Sequence, residues 1–181
     1  MPTIETVIHQ TDRWVKEVVI GCNFCPFALQ VVKEKKLKYV VLETNSSDEI
    51  AEQLLTECTY LDKHAETETT LLILPNTFSS FISYLSFIDR AEKLLRKKKY
   101  EGIYQLASFH PLYCFAGSNE QDAANYTNRS PYPMLHLLRE ESIEHALRNF
   151  PSPENIPERN IRVANEKGLA VMQSLLNSCL G

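Results

Sequence analysis

The sequence predicts an α/β domain in which a mixed four-stranded sheet with a parallel core is packed against helices. Three observations predict this class. Apolar residues recur at helical spacing in the first 21 residues, the order strand–helix–strand–helix–strand runs from Leu37 to Phe109, and a further strand follows at Met134–Leu138. A two-layer α+β sandwich of the ferredoxin-like type is the alternative. With 181 residues, 44% of them hydrophobic, we expect one domain over residues 1–181.

Two helices are predicted ahead of the sheet. The first has eight side chains at helical spacing before a glycine stop, namely Ile4, Val7, Ile8, Thr11, Trp14, Val15, Val18 and Val19, then Gly21. The second begins at Cys25-Pro26, because proline suits the first helical position, and is expected to run to about Lys36.

The first strand and its crossover helix follow. Leu37, Tyr39 and Val41 alternate as a strand, and Ser46 with Glu49 forms a capping box. That box opens an amphipathic helix whose apolar side chains are Ile50, Leu54, Leu55, Cys58 and Leu61.

The second crossover has the same form. Thr69–Leu74 is a short apolar run closed by Pro75 and is predicted to be a buried strand. A long helix extends from Phe78 to Leu95 and ends in basic residues, and Ile103–Phe109 is the third strand. Since helical crossovers join parallel strands, these three strands should form a parallel core.

The last third of the chain contains the fourth strand and two helices. The strand is reached through a long loop, so we expect it to lie antiparallel at an edge of the sheet. A helix over Glu141–Phe150 and, after a proline-rich corner, a final helix from about Ile161 to Cys179 complete the prediction.

Composition disfavours several classes of protein. The formal charge of −4 argues against a nucleic-acid or anionic-membrane partner, and no apolar run reaches the length of a membrane span. The five glycines are too far apart for a phosphate-binding loop, and we expect no cofactor. The N-terminal residues carry no secretory pattern, which suggests a cytoplasmic protein with five free thiols. Oligomeric state is not indicated.

The segment from His110 to Pro133 has no clear periodicity. Four of its 24 residues are aromatic, nearly twice the chain average of 9%, so disorder fits it poorly. Its polar residues are of the types that bind anions: Asp122, Asn125, Asn128, Arg129 and Ser130. The Arg129 guanidinium offers paired donors to a carboxylate or phosphate. The alternative is that these groups bond the backbone of the loop itself.

Two histidines lie near the sheet. His110 follows the third strand, at the end where ligands gather in such sheets, and it is a candidate general acid or base. It could equally be a structural residue bonded to the loop backbone. His136 lies within the fourth strand and is interpreted as a core or edge residue.

Cys25 is a candidate nucleophile. If Pro26 opens the second helix, Cys25 is its N-cap, where the unpaired amides favour a thiolate. The alternative is an inert buried cysteine between Phe24 and Phe27. A thioredoxin-like pair with Cys22 is disfavoured, because such pairs follow a strand. Cys22, Cys25, His110 and Cys114 also have spacings that structural zinc sites use.

Four segments resemble a family of bacterial and plastid proteins catalogued as domain of unknown function 1415: Cys25–Ala28, Ser108–Pro111, Asn128–Pro133 and His136–Glu140. The similarity extends from about Trp14 to Gly168. The residues that match the family pattern are Cys25, His110, Asn128, Arg129, His136 and Glu140. Cys22 and Cys114 depart from it, so we expect a metal-free protein. The resemblance supports a site without naming a reaction.

The leading functional hypothesis is an enzyme that acts on a small anionic metabolite. In it His110 is the acid or base, Arg129 clamps the anion, Cys25 is the nucleophile, and Asp122, Asn125, Asn128 and Ser130 line the site. The alternative is a non-catalytic ligand-binding or regulatory domain with the same pocket. Both require that Cys25-Pro26, Phe109-His110 and Asn128–Ser130 converge, since the aromatic loop must bury its rings against the domain.

Overall fold

The computed structural model describes residues 2–148 and 150–181. Its strands are β1 (Leu37–Val41), β2 (Thr69–Ile73), β3 (Tyr104–Phe109) and β4 (Met134–Arg139), which form one sheet in the order β1-β2-β4-β3. β1 pairs parallel to β2, with Leu37 opposite Thr69, as predicted. β4 is antiparallel to both β2 and β3.

The predicted edge position of β4 is wrong, and so is direct pairing among all three parallel strands. β4 lies in the interior of the sheet, between β2 and β3, so β3 shares its direction with β1 and β2 but does not pair with either. The physical reason is burial on both faces. Met134, Leu135 and Leu137 are almost fully buried, and a near-continuous apolar run is typical of a strand covered on both sides.

The helices are α1 (Ile4–Trp14), α2 (Ala28–Lys33), α3 (Ser47–Lys63), α4 (Phe81–Lys97), α5 (Glu140–Arg148), α6 (Ile156–Lys167) and α7 (Leu169–Ser178). α3 and α4 pack on the sheet face that presents Leu72, Leu74, Leu135 and Leu137. α1, α6 and α7 belong to the core of the opposite face, with Leu71 and Met134. Since helices cover both faces, the two-layer alternative is excluded.

α1 continues without a break into a π-helix, Val15–Ile20. Its wide turn is closed by bonds between residues five apart, from the Gly21 amide to the Lys16 carbonyl and from the Phe24 amide to the Val19 carbonyl. Gly21 is required here, because a Cβ at this position would lie 2.2 Å from the Glu17 carbonyl oxygen.

Two predicted helices have different bounds. α2 starts at Ala28 and is only six residues long, and Phe27 rather than Cys25 is its N-cap. The predicted C-terminal helix is two helices, α6 and α7, separated at Gly168, whose φ of +80° interrupts the helical backbone. No helix in the described ranges is both long enough and apolar enough to cross a membrane.

Candidate functional site

His110 is almost fully buried, with 1% of its surface exposed. It continues the alternation of Tyr104 and Leu106 onto the α3/α4 face, where its ring contacts Phe81 and Tyr84. Its Nε2 lies 2.8 Å from the Phe78 carbonyl oxygen, which only accepts, so Nε2 is protonated, and Nδ1 accepts from the Leu112 amide. Burial lowers the pKa of His110. Because both of its nitrogens bond backbone groups, the His110 imidazole has the hydrogen bonds expected of a structural histidine.

Asn125 and Asp122 organise the long loop. Asn125 is fully buried; its Oδ1 accepts from the Phe115 amide at 3.0 Å and its Nδ2 donates to the Asn119 carbonyl at 2.8 Å. Asp122 caps a short 3₁₀ helix, Ala123–Thr127, by accepting from the Ala124 amide. The side chains of Asn125 and Asp122 therefore form hydrogen bonds within the loop and stabilise its fold.

Arg129, Asn128 and Ser130 are engaged in the same way. The Arg129 guanidinium donates to the carbonyls of Tyr113 and Glu120, at 3.0 and 2.7 Å, and lies over the Tyr126 ring. Asn128 Nδ2 reaches the Ser108 carbonyl, and buried Ser130 donates to the Tyr132 carbonyl. Two of the guanidinium donors that could hold an anion, Nε and Nη2, are therefore bonded to backbone oxygens.

Two of the three predicted segments, Phe109-His110 and Asn128–Ser130, contact each other through the backbone, and Trp14 packs against both. Trp14 donates to the Arg129 carbonyl at 3.0 Å and packs edge-on against Phe109, and the His110 amide donates to the Asn128 carbonyl. The side chains of Cys25 and His110 face opposite sides of the sheet, because Phe109 and His110 alternate. Cys25 lines a cavity to which neither His110 nor Arg129 contributes.

This cavity, of about 850 Å³, lies on the α1 side of the sheet. Its floor consists of the sheet side chains that point to that side: Leu37, Thr69, Leu71, Ala107, Phe109, His136 and Leu138. α2 and the turn before it form one wall, and α5 forms another, with Ile143 and Ala146 facing inward. Trp14, Val15 and Val19 border it where α1 passes into the π-helix. We call it the sheet-face cavity.

Cys25 lines the sheet-face cavity from the turn before α2. Its thiol is free and the residue is only partly buried, so it is more accessible than the predicted alternative of a buried cysteine. The predicted N-cap role is also wrong, because helical hydrogen bonding begins after Phe27. The structure thus gives Cys25 access to the cavity without the electrostatic activation of a helix terminus.

His136 stands on the cavity floor between Leu71 and Ala107 of the neighbouring strands. Its Nε2 lies 2.7 Å from the Thr69 hydroxyl, and that hydroxyl lies 2.6 Å from the Leu137 carbonyl oxygen. A carbonyl only accepts, so the single Thr69 proton points to Leu137 and Nε2 must be the donor to Thr69. Nδ1 is therefore the unprotonated nitrogen of a neutral ring.

Desolvation lowers the pKa of His136 to about 4. The imidazole is therefore neutral at physiological pH and presents Nδ1 as an acceptor. A base with so low a pKa accepts a proton poorly at neutral pH, because general bases work best when their pKa lies near the working pH. The geometry favours a hydrogen bond to a ligand over proton abstraction from it.

Glu68 also lines the cavity, at the entry to β2. Its Oε1 is buried and has no hydrogen-bond partner among the described residues. The nearby Lys36 ammonium lies 2.6 Å from Glu34, whose hydrogen bond is the main cause of the raised pKa of Lys36. A buried carboxylate oxygen without a partner costs free energy.

No group of three or more His, Cys, Asp or Glu side chains in residues 2–148 and 150–181 is arranged to hold a metal ion. The four residues of the zinc alternative are dispersed. Cys22 is in the core, where burial raises the pKa of its thiol, and Cys114 lies inside the loop against the Ser118 carbonyl.

The model of a protein family of unknown function, DUF1415, matches residues 6–174, nearly the whole chain. The chain belongs to the DUF1415 family. No curated protein and no solved structure matches it. In this DUF1415 protein the Cys25–Ala28 and His136–Glu140 segments both border the sheet-face cavity, whereas Asn128–Pro133 anchors the loop to α1 and leads into β4.

Sequence reasoning missed His136, Thr69 and Glu68 as cavity residues. One signal was present: His136 interrupts an otherwise apolar run, Met134–Leu138, at a position whose strand neighbours are buried. A polar residue at such a position needs a partner. No pattern in the sequence indicated that the partner is Thr69 or that a cavity opens above it.

Proposed function

We propose that this protein binds a small, largely apolar molecule in the sheet-face cavity. The observation that carries the proposal is the lining of that cavity, whose surface is mostly aliphatic and aromatic, with Thr69 and His136 at the floor and charged residues such as Glu141 and Arg148 at the rim. Binding sites for small molecules have this composition and a volume of roughly 300–1,000 Å³. The 850 Å³ cavity falls within that range.

The anionic ligand of the leading sequence hypothesis loses its support. It depended on Arg129, which donates from Nε and Nη2 to backbone carbonyls, and on His110, whose two ring nitrogens are both bonded to backbone groups. The non-catalytic alternative, moved from the loop to the sheet-face cavity, is the function that the geometry supports best.

Naphthalene is a suitable probe, since it fits the volume and carries no polar group. We expect saturable binding of naphthalene to the wild-type protein and at least about a tenfold weaker affinity in Ala146→Trp, which fills the cavity from α5. Ala170→Trp, at an exposed position of α7, is the matched control and should bind normally. Absence of saturable binding, or equal affinity in the folded Ala146→Trp variant, would contradict the proposal.

An enzyme that uses Cys25 as its nucleophile is the second candidate, because Cys25 lines the same cavity. The low pKa of His136 disfavours it, because an imidazole with that pKa is a poor proton acceptor for the thiol at neutral pH. Alkylation by iodoacetamide at pH 7 distinguishes the two candidates. A nucleophile should react at least about ten times faster than a free thiol in solution. Under the binding proposal, Cys25 should react no faster than that free thiol.

A further inference from the structure

We infer that the ligand of the sheet-face cavity carries a hydrogen-bond donor, as an apolar alcohol, phenol or amine does, and that carboxylates and phosphates are rejected. This inference rests on the proposed function, since it concerns the same cavity. It follows from the kind of polar atom that the cavity leaves without a partner.

That atom is Nδ1 of His136. The chain Nε2 to Thr69 hydroxyl to Leu137 carbonyl fixes the proton on Nε2 and leaves Nδ1 as an acceptor. No described group donates to Nδ1. Among the described residues, one fully buried side-chain N or O atom has no hydrogen-bond partner, and that atom is Glu68 Oε1. Since Nδ1 of His136 also has no partner, it is not fully buried, and it is open to the cavity that His136 lines.

Glu68 also lines the cavity, but its unpartnered Oε1 is buried beneath the surface and is not offered to a ligand. Its carboxylate instead adds negative charge beside the cavity, which would repel an anionic ligand. The open acceptor of His136 and the charge of Glu68 therefore both disfavour an anion.

The cations at the cavity do not offset this selection. The Arg139 guanidinium donates to the carbonyls of Leu61, His64 and Thr67, and Lys36 pairs with Glu34. Arg148 lies exposed at the rim, which also carries Glu141. An anion at the floor would find donors of Arg139 and Lys36 already bonded to other groups, and it would face a neutral ring that presents a lone pair.

Three probes of one shape test the inference: naphthalene, 2-naphthol and 2-naphthoate. Their dissociation constants are measured at pH 7, where the naphthol is neutral and the naphthoate ionised. We expect 2-naphthol to bind about tenfold tighter than naphthalene, and 2-naphthoate at least about tenfold weaker. Equal affinity for naphthalene and naphthol, or tightest binding of naphthoate, would overturn the inference while leaving the proposed function intact. If none of the three binds, the proposed function itself fails.

Variants at His136 assign the effect to its acceptor. In His136→Phe the advantage of naphthol over naphthalene should shrink to less than about threefold, with naphthalene affinity retained. His136→Gln keeps a donor for Thr69 but removes Nδ1, and serves if the Phe variant does not fold. His9→Phe, at an exposed position of α1, is the matched control and should retain the full advantage. An unchanged naphthol advantage in both His136 variants would contradict the assigned role of Nδ1.

Discussion

The loop from His110 to Pro133 and the sheet-face cavity contain similar polar residues but differ in where their hydrogen bonds go. In the loop, Arg129 and Asn125 bond backbone groups of the loop itself. At the cavity, His136 and Glu68 each retain an acceptor without a partner among the described residues. A long loop rich in polar side chains must satisfy its own backbone first, so such residues are weak indicators of a ligand site.

The largest expected effect concerns the loop. Asn125 is fully buried, and Asn125→Ala removes the side-chain partner of the Phe115 amide and that of the Asn119 carbonyl. We expect the free energy of unfolding to fall by about 3 kcal/mol, measured by urea denaturation, with naphthalene affinity unchanged in the folded protein. Asn177→Ala, exposed on α7, should change stability by less than about 0.5 kcal/mol. A stable Asn125→Ala variant that no longer binds naphthalene would indicate that the ligand binds at the loop and not in the sheet-face cavity.

The pH dependence of stability tests the cavity side of the comparison. The pKa of His136 is about 4 in the folded protein against about 6.5 when unfolded, so between these values the unfolded state binds the extra proton. The free energy of unfolding should therefore fall as pH is lowered from 6.5 to 4, by roughly 2–3 kcal/mol from this group. The contribution of the group to the slope disappears about one pH unit above 6.5, where the unfolded histidine is also neutral.

His136→Gln should lose that part of the slope, and His9→Gln, at an exposed position, should keep it. The lowered pKa of His110 adds a slope of the same sign in every variant, so the difference between variants isolates His136. Identical slopes in wild type and His136→Gln would show that His136 is not held neutral by burial.

Arg129→Lys separates the two regions with a smaller effect. Lysine cannot reproduce the two carbonyl contacts and the ring contact at once, so stability should fall by about 1–2 kcal/mol. The affinity for naphthalene and 2-naphthol should not change. This is the reverse of the sequence-based hypothesis, in which the same substitution weakens binding and leaves the fold intact. Calorimetric titration beside thermal unfolding decides between them.

The sequence predicted where strands and helices lie along the chain better than it predicted which strands lie side by side. Parallel pairing of β1 and β2 followed from the crossover helix that begins at Ser47. The interior position of β4 did not, because it depends on how the 24-residue loop folds, and no local pattern specifies that. The apolar residues of the π-helix at Val15–Ile20 have the same spacing as those of an α-helix, so the sequence pattern did not indicate its wider turn.

The candidate site shows the same limit. The sequence made Cys25 a candidate site residue, and Cys25 does line a cavity. The sequence did not show that Phe27, and not Cys25, is the N-cap of α2, because that depends on where α2 starts. His110 and His136 have the same side chain and both adjoin the sheet, yet one has both nitrogens bonded and the other one nitrogen open. The difference lies at Nδ1, which in His110 accepts from the Leu112 amide in the turn after β3 and in His136 has no partner among the described residues. The Nε2 bonds of both rings come from residues more than 30 positions away in the chain.

Two cysteines give the smallest expected effect. Cys25 and Cys114 are both partly buried, but Cys25 borders the cavity while Cys114 lies among loop carbonyls. Saturating naphthalene should slow alkylation of Cys25 several-fold and leave Cys114 unaffected, as followed by mass spectrometry of the labelled peptides. Equal protection of both thiols would indicate general stabilisation rather than occupancy of the cavity.

The position of a bound probe tests the central claim most directly. Intermolecular nuclear Overhauser effects from 2-naphthol to methyl groups report which side chains surround it. The account predicts contacts to the methyls of Val31, Leu71 and Ile143, which line the sheet-face cavity on three sides. Contacts confined to Leu112, Ala123 and Ala124 would place the ligand at the loop and contradict the account.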